Sequence, residues 1–450
     1  MDDLLRDATD RAARYLAGLS ERAVAPDVAA VERLAGLGGP LPDGSSDPAG
    51  VLALLDDLGS AATVTSAGPR YFGFVVGGVL PAALAANWLA GAWDQDAGSL
   101  TTSPTATVLE DVALAWLLDV LGLPEHAGGA FVTGATMANF SCLAAARHAV
   151  LTRAGWDVES DGLFGAPPVT VVVGAEAHSS VFKALGLLGF GRRRVVAVAA
   201  DGQGRMRADA LPPLAGPTIV CLQAGNVNTG AFDPAAEIVP RAREAGAWVH
   251  VDGAFGLWAA AAPARAPLVA GMAGADSWAT DAHKWLNVPY DSGLAFVRDG
   301  KALRAAMAIT ADYLPTSATR QPDNYTPELS RRARGVEVWA ALRSLGRSGL
   351  ADLIERDCRH AARFADGLRA AGHAVLNDVV LNQVLVAFGD DATTRRVIAG
   401  VQQDGTCWAG GTVWQGRAAM RISVSSWATT EADVARSLAA IVRVADAQRG

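Results

Sequence analysis

Lysine is nearly absent from this 450-residue chain. Only three of its 38 basic residues are lysine, namely Lys183, Lys284 and Lys301, and the others are arginine. A GC-rich coding bias accounts for this scarcity and also suits the abundance of alanine and glycine. Because a guanidinium group stays protonated at ordinary pH, chemistry that needs a neutral primary amine has three candidates in this sequence.

Cysteine is also scarce. The four cysteines lie far apart and form no C-x-x-C pair. This spacing indicates neither a disulfide framework nor a zinc site. We therefore expect buried, reduced thiols and no bound metal.

The chain lacks an excess of basic charge and any uninterrupted apolar run. Its net charge of -8 and a pI near 5.4 argue against nucleic-acid binding. The apolar stretch 75–90 is interrupted by glycine, proline and Asn87, so no membrane span is predicted. The first six residues are acidic rather than basic, which is not typical of a signal peptide. We predict a soluble, cytoplasmic protein.

Short β-branched runs alternate with helical patterns through the middle of the chain. These runs are apolar on both faces, which is typical of buried strands in a mostly parallel sheet covered by helices. The predicted strands are 169–173, 195–198, 218–222, 248–251, 277–280 and 294–297. The sequence thus predicts an α/β fold.

The two ends of the chain differ from this central part. A predicted helix over 2–24 and a second over 51–58 are too small to form their own core, so we expect them to pack on a partner subunit. A small α+β domain is indicated by predicted helices to 345 and over 349–371, strands at 381–388 and 420–424, and a final helix over 431–447. We predict an N-terminal dimerisation segment (1–66), a large domain (67–345) and a small C-terminal domain (346–450).

Two of the predicted strand ends carry polar groups suited to an anion and to a cationic ring. After residues 130–132, Gly134 leads into a helix whose first backbone N–H groups, at Ala135 and Thr136, would bind one phosphate. Asp252 follows a buried strand and precedes the small residues Gly253 and Ala254. A carboxylate there would pair with a protonated ring nitrogen while a flat ring lies close to the backbone.

Two further strand ends carry Lys284 and His178. Lys284 is followed by the apolar residues Trp285 and Leu286, and partial burial makes a lysine amine nucleophilic. His178 follows the strand that ends at Val173 and would stack on a flat ring. Read singly, each of these groups has an ordinary alternative, as a cap, a turn residue or a surface lysine.

Taken together, these motifs resemble one family over almost the whole chain. Residues 281–290 read DAHKWLNVPY and residues 248–254 read WVHVDGA. These motifs, with 224–233 and 330–334, resemble those of the group II amino-acid decarboxylases. Members of that family have the fold of the fold type I (aspartate aminotransferase-like) enzymes and use pyridoxal 5'-phosphate (PLP).

The resemblance implies a role for each motif residue. Lys284 would hold PLP as a Schiff base, Asp252 would pair with the pyridinium nitrogen, His178 would stack on the ring and Ala254 would lie beneath it. The implied phosphate contacts are Ala135, Thr136 and His283, and further candidates near the ring or phosphate are Asn226, Asn228 and Ser277.

The resemblance also implies a tyrosine that delivers a proton to Cα from a loop before the Ser-Arg-Arg block. Tyr325 is the first candidate and Tyr313 the second. Without such a donor, oxygen would intercept the reaction and an aldehyde would form instead of an amine. Two other reactions stay open, β-elimination and retro-aldol cleavage of a modified amino acid in natural-product biosynthesis. The complete set of motif residues disfavours a non-catalytic PLP-binding homologue.

Other residues bear on the substrate. Arg421 on a C-terminal strand would hold the substrate carboxylate, although a structural ion pair explains it equally well. Phe72, Phe74 and Trp93, with Trp88, would line an aromatic pocket, or alternatively belong to a core. We expect a homodimer with its active sites near the subunit interface, decarboxylating an L-amino acid, with aromatic or bulky side chains slightly favoured.

Overall fold

A computed structural model describes residues 1–309 and 320–448. A seven-stranded sheet forms its centre, built from β1 (Gly128–Val132), β2 (Thr170–Gly174), β3 (Val196–Val198), β4 (Thr218–Gln223), β5 (Trp248–Asp252), β6 (Ser277–Asp281) and β7 (Gly293–Val297). The strand order is β1-β7-β6-β5-β4-β2-β3. Strands β3, β2, β4, β5 and β6 run parallel, whereas β7 runs antiparallel to both of its neighbours.

Helices cover both faces of this sheet and form the flanking parts of the chain. They are α1 (Asp2–Ala17), α2 (Val28–Arg33), α3 (Pro48–Leu55), α4 (Pro81–Trp93), α5 (Pro104–Val120), α6 (Ala135–Arg153), α7 (Val158–Asp161), α8 (Ser179–Leu187), α9 (Ala235–Glu244), α10 (Gly300–Met307), α11 (Gly335–Ala370), α12 (Asp391–Asp404) and α13 (Glu431–Ala447). Strands β4, β5, β6 and β7 are buried at every residue. A sheet covered on both sides explains their continuous apolar sequences, and the predicted α/β fold is confirmed.

A second, antiparallel sheet lies toward the C-terminus. It contains β8 (Ala374–Val375), β9 (Gln383–Ala387), β10 (Gly410–Trp414) and β11 (Arg417–Ser423) in the order β10-β11-β9-β8. Helices α12 and α13 pack against it. Helix α13 begins with a capping box, in which Thr430 and Asp433 bond to each other's backbone N–H groups. The predicted small α+β unit is therefore present, with β8 and β10 as strands that the sequence did not predict.

Helix α11 connects the two sheets. Gly346 interrupts it with a φ of 60°, a left-handed conformation that glycine adopts without a steric penalty. The break lies between the two helices predicted from the sequence. The N-terminal half of α11 packs on α4 and α5, and its C-terminal half packs on α13 and β9.

The N-terminal helix α1 is shorter than the predicted helix over 2–24, and none of its residues is buried in this single chain. It is attached mainly by polar contacts, such as the ion pair of Arg11 with Asp56.

A buried ion pair anchors the region just before α11. Glu110 on α5 is 1% exposed and Arg331 is 5% exposed, and their side chains are 2.8 Å apart. The same guanidinium donates to the carbonyl oxygens of Ala97 and Phe131. Arg331 therefore joins α5, β1 and the segment between α4 and α5 in one network.

No helix in the described ranges has both the length and the apolar character needed to cross a membrane. Within the same ranges, no group of three or more histidine, cysteine, aspartate or glutamate side chains is arranged to hold a metal ion. The four cysteines are buried and unpaired with one another.

Candidate active site

Four chain segments meet at the carboxyl ends of neighbouring strands. They are the turn from β1 into α6, the segment after β2 with His178, the end of β5 with Asp252 and the segment after β6 with Lys284. Because parallel strands present their carboxyl ends at one edge of the sheet, ligands bind there in α/β folds. The structure thus brings together side chains that lie more than 100 residues apart in the sequence.

Lys284 is held by an acidic residue of its own loop. Its Nζ atom lies 2.9 Å from Oδ2 of Asp281, and 19% of its side chain is exposed. The other carboxylate oxygen of Asp281 accepts from the backbone N–H of Ala135 at 2.6 Å and lies 3.5 Å from Nε2 of His283. Asp281, which the sequence reasoning missed, therefore connects the lysine loop to the beginning of α6.

The turn into α6 has free donors. The first intrahelical bond is from the N–H of Ala138 to the carbonyl of Gly134, so the N–H groups of Thr136 and Met137 precede it and have no acceptor within the helix. The approach of β7 to this turn requires glycine, because a Cβ atom at Gly293 would clash with the backbone of Gly134. The beginning of α6 is a ready anion site.

Asp252 is a buried carboxylate surrounded by donors. Its side chain accepts from Nδ2 of Asn139 at 3.1 Å, from the hydroxyl of Ser180 at 3.3 Å and from the backbone N–H of Ala254 at 3.2 Å. It is 4% exposed, and in the described part of the chain no lysine, arginine or histidine nitrogen lies within 4.0 Å of it. A buried carboxylate without a cationic partner is costly, and a cationic ring nitrogen would remove that cost.

His178 lies beside this carboxylate as the residue that precedes α8. Its Nδ1 atom is 2.8 Å from Oγ of Ser180, which is in turn bonded to Asp252. Burial lowers the pKa of His178, and the nearby Lys284 and Arg421 act in the same direction against the raising effect of Asp252. A neutral imidazole is suited to stack on an aromatic ring.

Three predicted cofactor contacts have other partners. Oδ1 of Asn226 accepts from the N–H groups of Asn228 and Thr229, and its Nδ2 donates to the carbonyl of Glu176. Asn228 accepts from the hydroxyl of Thr412 on β10. Asn226 thus shapes its own loop, and Asn228 links this loop to the second sheet. Ser277, fully buried, is bonded to Trp248 and His250 and reaches Asp252 only through other side chains.

The expected aromatic pocket needs correction. Phe72 is 1% exposed and packs edge-on against Phe364 in the core of the second sheet, so it is not a pocket residue. Trp93 ends α4, about 20 Å of helix from Leu80, whose N–H bonds to Asn287 near Lys284. It is therefore distant from Lys284 within its own chain.

Phe74 instead belongs to an aromatic stack that the sequence did not reveal. Trp408 lies between Tyr71 and Phe74, with ring centroids 5.1 and 5.5 Å away. Gly73 leaves the space for the indole, since a Cβ there would clash with it. A Cβ at Gly77 would likewise clash with the carbonyl oxygen of Lys284, so the segment 71–77 crosses directly over the lysine loop.

Arg421 lies on β11 near this stack. Its guanidinium donates to the carbonyl of Val227 at 3.3 Å, and no carboxylate within the described ranges lies within 4.0 Å of it. Burial lowers the pKa of Arg421, while the neighbouring Tyr71 raises it. A structural ion pair was the alternative role for Arg421, and none is seen within the described ranges.

Tyr325 is not brought to the site within its own chain, which corrects its expected role there. Its ring lies under the guanidinium of Arg320 at 4.9 Å, and both line a cavity with Gly128 and Gly129 at the beginning of β1. The anion turn is at the opposite end of β1, and the lysine loop, which follows β6, is bonded to that turn. Tyr313, the second candidate, lies outside the described residues.

These groups have the chemistry that PLP requires. A helix start with free N–H groups suits the phosphate, the half-buried amine of Lys284 suits the aldehyde, and the cation-free carboxylate of Asp252 suits the ring nitrogen. Ala254, between the ends of β5 and β6, leaves room for a flat ring. The residues present therefore fit the cofactor.

Comparison with known proteins gives an independent result. Residues 55–389 match the pyridoxal-dependent decarboxylase conserved domain. The chain is 32% identical over 380 residues to L-2,4-diaminobutyrate decarboxylase of Rhizobium meliloti, covering 80% of this chain and 74% of the relative. It is 28% identical over 403 residues to tryptophan decarboxylase 1 of Oryza sativa, covering 80% and 77% of the two chains.

The fold also matches a solved structure over its full length. The crystal structure of Oryza sativa TDC with PLP and tryptamine superimposes with a TM-score of 0.92 and 24% identity. The match covers 100% of this chain and 98% of that one.

Proposed function

Because this chain belongs to the pyridoxal-dependent decarboxylase family, we propose that Lys284 is the residue that holds its cofactor. The protein has the type I fold of PLP enzymes and is a PLP-dependent decarboxylase of an L-amino acid. The observation that carries the assignment of Lys284 is its amine, 2.9 Å from Asp281 at the edge of the sheet where Asp252 and the start of α6 also lie.

The bound cofactor supplies an electron-withdrawing ring that accepts the electrons of the bond broken at Cα. Asp252 holds the proton on the ring nitrogen. His178 and Ala254 would lie against the cofactor ring. The free N–H of Thr136 would bind the phosphate together with His283, whereas the N–H of Ala135, also expected to do so, already donates to Asp281. The hydrogen bond between Ala135 and Asp281 also orients the lysine loop toward this anion site.

Arg421 binds the substrate carboxylate in this proposal. A half-buried guanidinium with one carbonyl acceptor and no carboxylate partner in the described residues has free donors for an anion. The stack of Tyr71, Trp408 and Phe74 gives the neighbouring wall an aromatic surface, which favours an amino acid with an aromatic or bulky side chain.

The proposal extends to the assembly of the protein. The unburied helix α1 and the exposed side chains of Trp88, Trp93 and Phe74 support a homodimer whose active sites lie near the subunit interface. In such a dimer, Trp93 would contribute to the partner's pocket. The division at residues 66 and 345 and the cytoplasmic location remain predictions from the sequence.

A panel of L-amino acids incubated with the holoenzyme tests this function, with products identified by mass spectrometry. The expected result is an amine and CO₂, most rapidly from an aromatic substrate. Aldehyde with ammonia and hydrogen peroxide would instead indicate decarboxylation coupled to oxidation by O₂. Pyruvate or a smaller amino acid would indicate elimination or retro-aldol cleavage and contradict the proposal.

A further inference from the structure

A buried chain of hydrogen bonds leads from Asp252 into the sheet. Oδ2 of Asp252 accepts from Asn139, and Oδ1 of Asn139 lies 2.8 Å from Nε2 of His250. On the other side of the imidazole, Nδ1 lies 3.0 Å from Oγ of Ser277, which accepts from Nε1 of Trp248 at 2.9 Å. Each of these five side chains is at most 5% exposed.

The chemistry of the two ends determines the direction of the bonds. A carboxylate accepts, so the amide nitrogen of Asn139 faces Asp252 and its oxygen faces His250; the reverse orientation would place two oxygens together. Nε2 of His250 then carries the hydrogen. Burial lowers the pKa of His250 to about 4, so its ring is neutral and Nδ1 accepts from the Ser277 hydroxyl.

Every bond in this chain therefore donates toward Asp252. The indole N–H of Trp248 donates to Ser277, Ser277 to His250, His250 to Asn139, and Asn139 to the carboxylate. Hydrogen bonds aligned in one direction polarise one another in a low-dielectric interior. Donation to a carboxylate favours its ionised form, the form that a protonated ring nitrogen needs.

We propose that Asn139 and His250 are positioning residues that act through Asp252 to keep the cofactor ring nitrogen protonated, with Ser277 one bond further away. This inference rests on the proposed function, because it takes Asp252 as the ring partner. Asn139 and His250 touch neither substrate nor ring in this account. They set the orientation and charge of the group that does.

A purely structural role makes a different prediction. Buried polar groups need partners in any case, so removing one would lower stability and leave the ring nitrogen unchanged. A measurement on the ring nitrogen itself separates these two roles. The ¹⁵N chemical shift of holoenzyme reconstituted with ¹⁵N-labelled PLP reports its protonation directly.

The variants Asn139→Leu, His250→Phe and Ser277→Ala remove successive links, and Ser141→Ala is the matched control. Ser141 lies on the same helix as Asn139, and its buried hydroxyl has no hydrogen-bond partner in the described structure. We expect the ¹⁵N shift to move toward the unprotonated value, most for Asn139→Leu and least for Ser277→Ala. We expect kcat to fall about 30-fold in Asn139→Leu and about threefold in Ser277→Ala, with little change in KM.

His250→Gln should restore much of the wild-type shift, because glutamine offers an N–H to Asn139 and a carbonyl to Ser277. In His250→Phe, adding Ser277→Ala should have no further effect on the ring nitrogen, since the link is already broken. Ser141→Ala should match the wild type.

A wild-type shift in folded Ser277→Ala and His250→Phe proteins would overturn the inference even if they lost stability. An equal change in Ser141→Ala would overturn it as well. If the wild-type protein failed to bind labelled PLP, the proposed function itself would be wrong. That outcome differs from one in which PLP binds and the hydrogen-bond chain has no effect on the ring nitrogen.

Discussion

The Nζ atom of Lys284 lies 2.9 Å from Oδ2 of Asp281, three residues earlier in the chain. The same carboxylate is bonded to the first residue of α6. One side chain therefore orients both the amine and the turn that would bind the cofactor phosphate. This geometry explains why Lys284, rather than either of the other two lysines, is suited to hold the cofactor.

Lys284→Arg should abolish covalent attachment of PLP. The guanidinium keeps the charge beside Asp281 but offers no neutral amine. Borohydride reduction followed by peptide mass mapping should find the cofactor on Lys284 in the wild type and on no residue in the variant, and decarboxylation should fall to background.

Lys183→Arg on α8 and Lys301→Arg on α10 are the matched controls and should keep full labelling. A label on Lys183 or Lys301 in the wild-type protein would refute the assignment.

Arg421→Met should raise KM by about 10- to 100-fold, because a charged hydrogen bond to the substrate is lost, while kcat changes less. Arg417→Met on the same strand is the control, since Arg417 is exposed and donates to the carbonyl of Gly389. Steady-state kinetics on the best substrate measures both. Equal effects of the two substitutions would show that Arg421 has no specific contact with the substrate.

Tyr325→Phe should leave the ratio of amine to aldehyde unchanged. The variant keeps the ring under Arg320 and removes only a hydroxyl that is distant from Lys284 in its own chain. Tyr313→Phe provides the comparison and should raise the aldehyde fraction if Tyr313 is the proton donor. Mass spectrometry of products and a peroxide assay measure the ratio.

More aldehyde from Tyr325→Phe, with no change from Tyr313→Phe, would restore the role expected from the sequence. It would place Tyr325 at the active site of a partner subunit.

Asp357→Asn should change how stability depends on pH. Asp357 on α11 is fully buried, its Oδ2 accepts from Nε1 of Trp285 at 2.8 Å, and burial raises its pKa to about 8. The folded protein then holds this proton more tightly than the unfolded chain, whose ordinary pKa is 3.8. The contribution of this group to stability is greatest below that value and is lost as pH rises toward 8.

In the asparagine variant, the carbonyl still accepts from Trp285, but there is no proton to lose. Urea unfolding at about pH 5 and about pH 8 measures the free energy of unfolding at both values. This free energy should fall with rising pH in the wild type, and the fall should be smaller in Asp357→Asn by about a few kcal/mol. Parallel declines would mean that Asp357 is ionised in the folded protein. Asp366→Asn, on the exposed face of α11, is the matched control.

The sequence by itself determined the fold class and the main groups of the candidate site. Strands buried on both faces have continuous β-branched runs, and residues at strand ends lie in motifs such as that around Lys284, so both are visible in local sequence. Gly346 broke the predicted helical pattern where α11 is interrupted, because helix and turn preferences are local.

Only the tertiary structure decided which distant residues surround these groups. Trp408 meets Tyr71 and Asn139 meets Asp252 across more than 100 residues, and no periodicity encodes such contacts. The same limit explains the corrections. Phe72 and Phe74 are two residues apart, yet Phe72 lies in a core and Phe74 is exposed. In an extended strand the two side chains would lie on the same face, but the left-handed backbone at Phe74 breaks that pattern. Tyr325 was assigned by its distance along the chain, whereas its position in space depends on packing beneath Arg320.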